Sequence, residues 1–291
     1  MKKTDAAIFI LFGQSNAAGH WIPMEKCDVI DKPLENVFGL SRELNQTFDN
    51  KKLFWSGYKS AGMNLAEPVD DTYSVANCLA MRWQREIDLG EDLPDLYIVH
   101  IAVGGQGVTQ GYMWNPDYEK KLETGKGGDI DVDISLYPYA LHILAMVDDS
   151  FKELGKTYDI IGIHWRGGEN DFTVPENELA NTLQKTYKHM FDGFRKALNI
   201  NAKISLHRLY DFEKADQVDP SGEHRKSTEY INYVFESLAK EDENISVFDV
   251  GLCPWYKEGV RGNGIFIEDV VHYNPETNAW VAKKIYDEYA Q

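Results

Sequence analysis

Ala6-Ala7-Ile8-Phe9-Ile10-Leu11-Phe12 runs directly into Gly13-Gln14-Ser15-Asn16-Ala17-Ala18-Gly19, and the reading of this stretch decides the fold. Seven consecutive apolar residues without polar alternation suit a strand covered on both faces. The glycines and short polar residues that follow mark its end. Ser15 therefore lies just past the C-terminal end of a core strand. In an open parallel α/β sheet, that edge is where ligands and chemistry gather.

Four further apolar runs read as strands of the same kind: Asp95–Val103, Asp159–Trp165, Ala202–Leu209 and Ile245–Val250. Helical patterns lie between them. Val75, Leu79 and Trp83 recur every four residues. Leu141, Leu144, Ala145 and Met146 sit in a second pattern, and Leu179, Leu183, Tyr187, Met190, Phe191 and Phe194 form a third. Ile231, Val234, Phe235 and Leu238 follow the spacing of one helix face. A last helix is predicted after Asn274, with Pro275 at its first position and Trp280, Val281 and Ile285 turned inward. Strand alternating with helix predicts an α/β fold, a three-layer α/β/α sandwich around a five-stranded parallel sheet. No repeat and no Pro/Ser-rich linker divides the chain, so residues 1–291 read as one domain. Two stretches, near 20–73 and 105–136, are too long for simple connections and are expected to wall a substrate pocket. Their aromatics, Trp21, Trp55, Tyr58, Tyr112 and Trp114, suit stacking on sugar faces or packing the loops down.

The net charge of -17 argues against a nucleic-acid partner, because neutralising phosphates needs clustered Lys and Arg. The three cysteines, Cys27, Cys78 and Cys253, form no Cys-x-x-Cys pair, so no structural zinc site is expected. No apolar run approaches the length of a membrane span. Met1-Lys2-Lys3 is followed by too short an apolar run for a signal peptide, so a cytoplasmic location is expected; a leader trimmed from the natural chain would make it secreted.

A serine hydroxyl becomes a nucleophile when a base takes its proton, and the base is usually a histidine held by a carboxylate. Of eight histidines, His272 is the one with suitable neighbours. It lies in Glu268-Asp269-Val270-Val271-His272-Tyr273-Asn274-Pro275, where Asp269 is three residues upstream and can turn back onto the imidazole. His20, five residues after Ser15, is a rival base without such a carboxylate. The oxyanion of an acyl-transfer intermediate needs donors. Candidates are the Ser15 amide, the loop Val103-Gly104-Gly105-Gln106-Gly107, and the loop Trp165-Arg166-Gly167-Gly168-Glu169-Asn170-Asp171 with the Asn170 amide. Each follows a predicted strand.

These motifs resemble those of the SGNH (GDSL-like) hydrolases, over residues 6–285. Within them the chain is most similar to the sialate O-acetylesterase and acetylxylan esterase branch. Gly13-Gln14-Ser15-Asn16 matches that branch's first motif, Gly104-Gly105 its double glycine, and Asp269-x-x-His272 its last. The third motif departs: where the branch has Trp-x-Gln-Gly-Glu-Ser-Asp, the glutamine is Gly167, while Gly168-Glu169-Asn170-Asp171 keeps the superfamily's Gly-x-Asn-Asp. The third oxyanion donor is then either Asn170 or the Gly167–Gly168 backbone. The chain also lacks the Gly-x-Ser-x-Gly elbow, since Ala17 stands at its last position.

The resemblance implies a flavodoxin-like sheet and a carbohydrate O-acetylesterase with Ser15, His272 and Asp269 as triad. It implies Ser15, Gly105 and Asn170 as oxyanion hole, and neither metal nor organic cofactor. Gln14, Asn16, Gln106, Arg166, Glu169 and Trp114 are expected around a small-molecule or oligosaccharide substrate. For Arg166 the alternatives are a substrate carboxylate or an internal pair with Glu169 or Asp171. Other readings stay open: a lipase-type esterase, a thioesterase, or a non-catalytic carbohydrate-binding protein on the same fold.

Overall fold

The apolar run forms β1 (Ala6–Gly13), and all eight of its residues are buried. Its side chains alternate between two cores. Ile8, Ile10 and Phe12 enter one, and Ala7, Phe9 and Leu11 the other. A strand can be apolar at every position only when both faces are covered, and both are. A computed structural model describes residues 4–20, 22, 27–45, 50–66, 72–117, 135–171, 176–210, 223–258, 260–269 and 271–290, with the backbone alone for 176–181 and 223–227. Trp21, Val270, the Gly125–Gly128 run and the Leu179 side chain lie outside the described residues.

The elements following β1 are α1 (Ser15–Ala18), β2 (Val37–Leu40), α2 (Arg42–Asn45), β3 (Trp55–Gly57), α3 (Val75–Asp88) and β4 (Asp95–Ala102). Then come α4 (Leu136–Ala145), α5 (Val147–Leu154), β5 (Tyr158–Arg166), α6 (Glu176–Leu198), β6 (Ile204–His207), α7 (Glu223–Glu241), β7 (Ile245–Phe248) and α8 (Pro275–Ala290). They build one seven-stranded sheet in the order β3-β2-β4-β1-β5-β6-β7. Helices α4, α6 and α7 cover one face through residues such as Ile143, Tyr187 and Phe235. Helices α3 and α8 cover the other through Val75, Trp83, Val281 and Ile285.

The five predicted strands are β4-β1-β5-β6-β7, all parallel and in the flavodoxin-like order. The sheet as a whole is larger and mixed. The segment 37–57, read from sequence as part of a pocket wall, adds β2 parallel to β4 and β3 antiparallel to β2. Neither stands out in the sequence as an apolar run, because β2 is broken by Gly39 and β3 is only Trp55-Ser56-Gly57. In this strand order the chain reverses direction across the sheet between β1 and β5. The crevice there, at the carboxyl ends of the strands, is the ordinary ligand position of such folds.

Helix α8 begins where Asn274 and Pro275 predict. The Asn274 side chain accepts the Thr277 amide at 2.8 Å and donates to the Gly264 carbonyl at 2.9 Å. Val281 and Ile285 are buried, while Trp280 is only half-buried against Phe248. Among the described residues no helix is long and apolar enough to cross a membrane. Cys78 and Cys253 are buried thiols. Asn274→Ala should lower unfolding free energy by about 1–2 kcal/mol through the lost cap. A lower urea midpoint at an unchanged slope would record this.

Candidate active site

The end of β1 fits closely against the end of β5. A Cβ at Gly13 would stand 1.9 Å from the Arg166 carbonyl oxygen, and its φ of +145° is one that side chains rarely adopt. The next amide, Gln14, donates to that same carbonyl at 3.0 Å. The chain then turns into α1, whose first residue is Ser15. His100 on β4 anchors this turn: burial pushes its pKa down to about 4, so the ring is neutral and Nε2 donates to the Ala17 carbonyl at 2.9 Å.

The side chains on either side of Ser15 reach the turn after β5. Gln14 Nε2 donates to Asn170 Oδ1 at 2.9 Å, and Gln14 Oε1 accepts the Gly168 amide at 3.3 Å. Asn16 Nδ2 donates to Glu169 Oε1 at 2.8 Å and to the Val271 carbonyl at 3.1 Å. Asn16 Oδ1 accepts the Tyr273 amide at 3.0 Å. One amide side chain thus grips the backbone on both sides of His272. The loop bearing His272 is tied beside the turn bearing Ser15, although 257 positions separate them in sequence.

His272 Nδ1 lies 2.6 Å from Asp269 Oδ2. The other Asp269 oxygen accepts the amides of Val271 at 2.9 Å and His272 at 3.0 Å. Partial burial raises the Asp269 pKa, but the His272 ring and the two amides outweigh it and hold the carboxyl below its ordinary value. The carboxylate thereby fixes the ring's tautomer, with the proton on Nδ1 and Nε2 left as the basic nitrogen. No hydrogen bond joins the Ser15 hydroxyl to the His272 ring in this structure. The His20 ring is close, its centroid 6.4 Å from that of His272, and it packs where a Cβ on Gly104 would be.

Gly105 has a φ of +72° and is half-buried, directly after β4. Among the described residues no protein group accepts from the Ser15 or Gly105 amide, or from Asn170 Nδ2. The loops after β4 and β5 are joined by Asp171. Its Oδ1 accepts the Val108 and Thr109 amides at 2.8 and 3.0 Å, and its Oδ2 accepts the Tyr187 hydroxyl at 2.9 Å. Gly107 leaves room for it, since a Cβ there would lie 2.3 Å from Asp171 Oδ1. Among the described residues no group of three or more His, Cys, Asp or Glu is placed to hold a metal ion.

Compared with solved structures, the chain superposes on NanS over 100% of its own length and 99% of that chain, with a TM-score of 0.60 at 13% identity. This chain has the SGNH-hydrolase fold. Est24, a carbohydrate acetylesterase from Sinorhizobium meliloti, aligns over 98% of both chains at 14% identity and a TM-score of 0.47. An aryl esterase from M. smegmatis aligns over 97% of this chain and 99% of that one at 13% identity, also with a TM-score of 0.47. No protein-family model and no curated protein sequence matches the chain.

On this SGNH fold, several residues expected to touch substrate turn inward. Trp114 is fully buried, and its indole donates to the Gly13 carbonyl at 2.9 Å, so it has no face to offer a sugar. Arg166 is also buried. It donates to Asn278 Oδ1 at 2.9 Å and lies 4.5 Å from the Tyr273 ring centre, with no direct hydrogen bond to Glu169 or Asp171. Gln106 is buried and accepts the Met113 amide at 3.2 Å. Gln14 and Asn16 are buried and bonded within the protein as described, and Glu169 meets Asn16. Of the loop aromatics, Tyr58 is buried and Trp55 packs on Tyr97 and Phe151, while Tyr112 is half-buried. At Gly167, where the branch that the motifs resemble has glutamine, a Cβ would be 2.9 Å from the Trp165 ring, so that ring occupies the space. The Asp171 brace accords with the sequence reading, in which Glu169 and Asp171 brace this loop; the His100 anchor and the two-sided grip of Asn16 carry no such signal in the sequence.

Burial raises the Asp171 pKa from 3.8 to about 6, despite the donors around it. The folded state therefore takes up this proton more readily than the unfolded chain. The stability that uptake contributes is full below about pH 4 and lost as pH rises through about 6. Asp171→Asn keeps an oxygen for the two loop amides and removes the titration. Thermal melts of the two proteins from pH 4 to 8 should differ by a flattening of the pH dependence in that window.

Proposed function

We propose that this chain is a serine esterase that removes acetyl groups from an acetylated carbohydrate. One arrangement carries the reading: the 2.6 Å Asp269–His272 pair, on a loop that Asn16 ties beside Ser15. Ser15 Oγ attacks the acetyl carbonyl carbon while His272 Nε2 takes the hydroxyl proton. Asp269 stabilises the imidazolium that forms. The Ser15 and Gly105 amides and Asn170 Nδ2 receive the negative oxygen. The C–O bond to the sugar then breaks, and His272 returns the proton to the departing oxygen. Water, deprotonated by His272, attacks the acetyl-serine and releases acetate. The Ser15–His272 hydrogen bond forms with substrate present, as catalytic hydrogen bonds in free enzymes are often loose.

For the third oxyanion donor the geometry favours Asn170. The Gly168 amide is already taken by Gln14 Oε1, whereas Gln14 Nε2 holds Asn170 Oδ1 and so turns the amide's donor end outward from that contact. The sugar half of the proposal rests on the resemblance of Gly13-Gln14-Ser15-Asn16, and not on Tyr58 and Trp114, which are buried. Arg166, the cation that sequence offered to a substrate carboxylate, is buried. That favours a neutral acetyl sugar over an acidic one.

Ser15→Ala should abolish hydrolysis of p-nitrophenyl acetate, and a fluorophosphonate probe should label Ser15. Absence of labelling would point to a non-catalytic carbohydrate-binding protein. Asn170→Ala should slow turnover by about 10²–10³; a near wild-type rate would pass the role to the Gly167 backbone. In acetate-release assays, acetylated xylo-oligosaccharides should be better substrates than acetylated sialic acids. The reverse order would contradict the neutral-sugar reading.

A further inference from the structure

We infer that Glu169 is a positioning residue, which through Asn16 holds the His272 loop in register with Ser15; this rests on the serine-esterase reading. The Asn16 amide has two donor protons, and they go to Glu169 Oε1 and the Val271 carbonyl. Its oxygen accepts the Tyr273 amide. Flipping the amide would set its oxygen against two acceptors and its NH₂ against an N–H, so this orientation alone satisfies all three partners. The bond to Glu169 is charge-assisted, the strongest class of the three.

Glu169 is itself well held. Its neighbours Gly168 and Asn170 are both bonded to Gln14, and Asp171 is anchored to Val108, Thr109 and Tyr187. The charge of Glu169 also acts on the buried Arg166, which stands at the base of the same turn. Gln14 and Asn16, on either side of Ser15, therefore read successive residues of one rigid turn. Gln14 sets Asn170, and Glu169 sets Asn16. Asn16 in turn fixes the backbone before and after His272. Glu169 supports the base without touching its ring, a role separate from that of Asp269.

The test uses the full chain with p-nitrophenyl acetate. Glu169→Ala should lower kcat by about 10–100-fold with KM within about twofold, because misplaced groups cost rate more than binding. Glu169→Gln should restore kcat to within about threefold of wild type, since its amide oxygen can accept the same Asn16 bond. Glu169→Ala combined with Asn16→Ala should be no slower than Asn16→Ala alone, as expected of two residues acting through one contact. A kcat loss that glutamine does not rescue, a rise in KM at constant kcat, or additive losses in the double variant would each overturn the inference. Glu169→Ala at wild-type kcat, with Ser15 still essential, would remove the positioning role alone. Full activity in Ser15→Ala would instead remove the esterase reading on which it stands.

Discussion

The carbonyl oxygen of Arg166 leaves no room for a side chain at position 13. Three strand ends meet at that contact. The Gly13 carbonyl accepts the Val103 amide at 3.3 Å from the loop after β4, and the Trp114 indole from farther along the same loop. The Gln14 amide returns to Arg166 at the end of β5. Each loop that carries a candidate oxyanion donor thus starts within one or two residues of Gly13. A larger residue there would push β1 off β5 and move Ser15, Gly105 and Asn170 relative to one another.

Above this junction the site is held by polar groups that are almost fully used. Gln14, Asn16 and Asp171 each join loops from different strands, and all three are buried. Buried polar side chains are costly unless their partners are present, so each favours a single arrangement of the loops it joins. The amides of Ser15 and Gly105 stand apart because, among the described residues, they have no protein acceptor. Donors kept in place by neighbours that are themselves satisfied need little rearrangement when charge develops on a substrate.

Much of this was legible in the sequence. The strand Ala6–Phe12, the helix start at Asn274 and the Asp269–His272 pairing all depend on local pattern: continuous apolar residues, an N-cap with a following proline, and a three-residue turn. What stayed hidden depends on long-range contact. Strands β2 and β3 are glycine-containing segments without an apolar run, ordered by pairing, β2 on β4 and β3 on β2. Arg166 and Trp114 belong to residue types that often meet ligands, yet one sits beneath Tyr273 and the other against Gly13. Nothing in their sequence neighbourhoods distinguishes an inward guanidinium or indole from an outward one.

Asn16 shows the same limit from the other side. Its place beside the serine marks it as a site residue, and the motif suggested a contact with substrate. The fold instead gives both of its donor protons and its oxygen to protein groups, two of which flank His272. A residue beside a candidate nucleophile can therefore serve the site by fixing where the candidate base stands. In this chain the residues on either side of Ser15 define the candidate site by what they hold in place, and the Ser15 and Gly105 amides are left, among the described residues, without a protein acceptor.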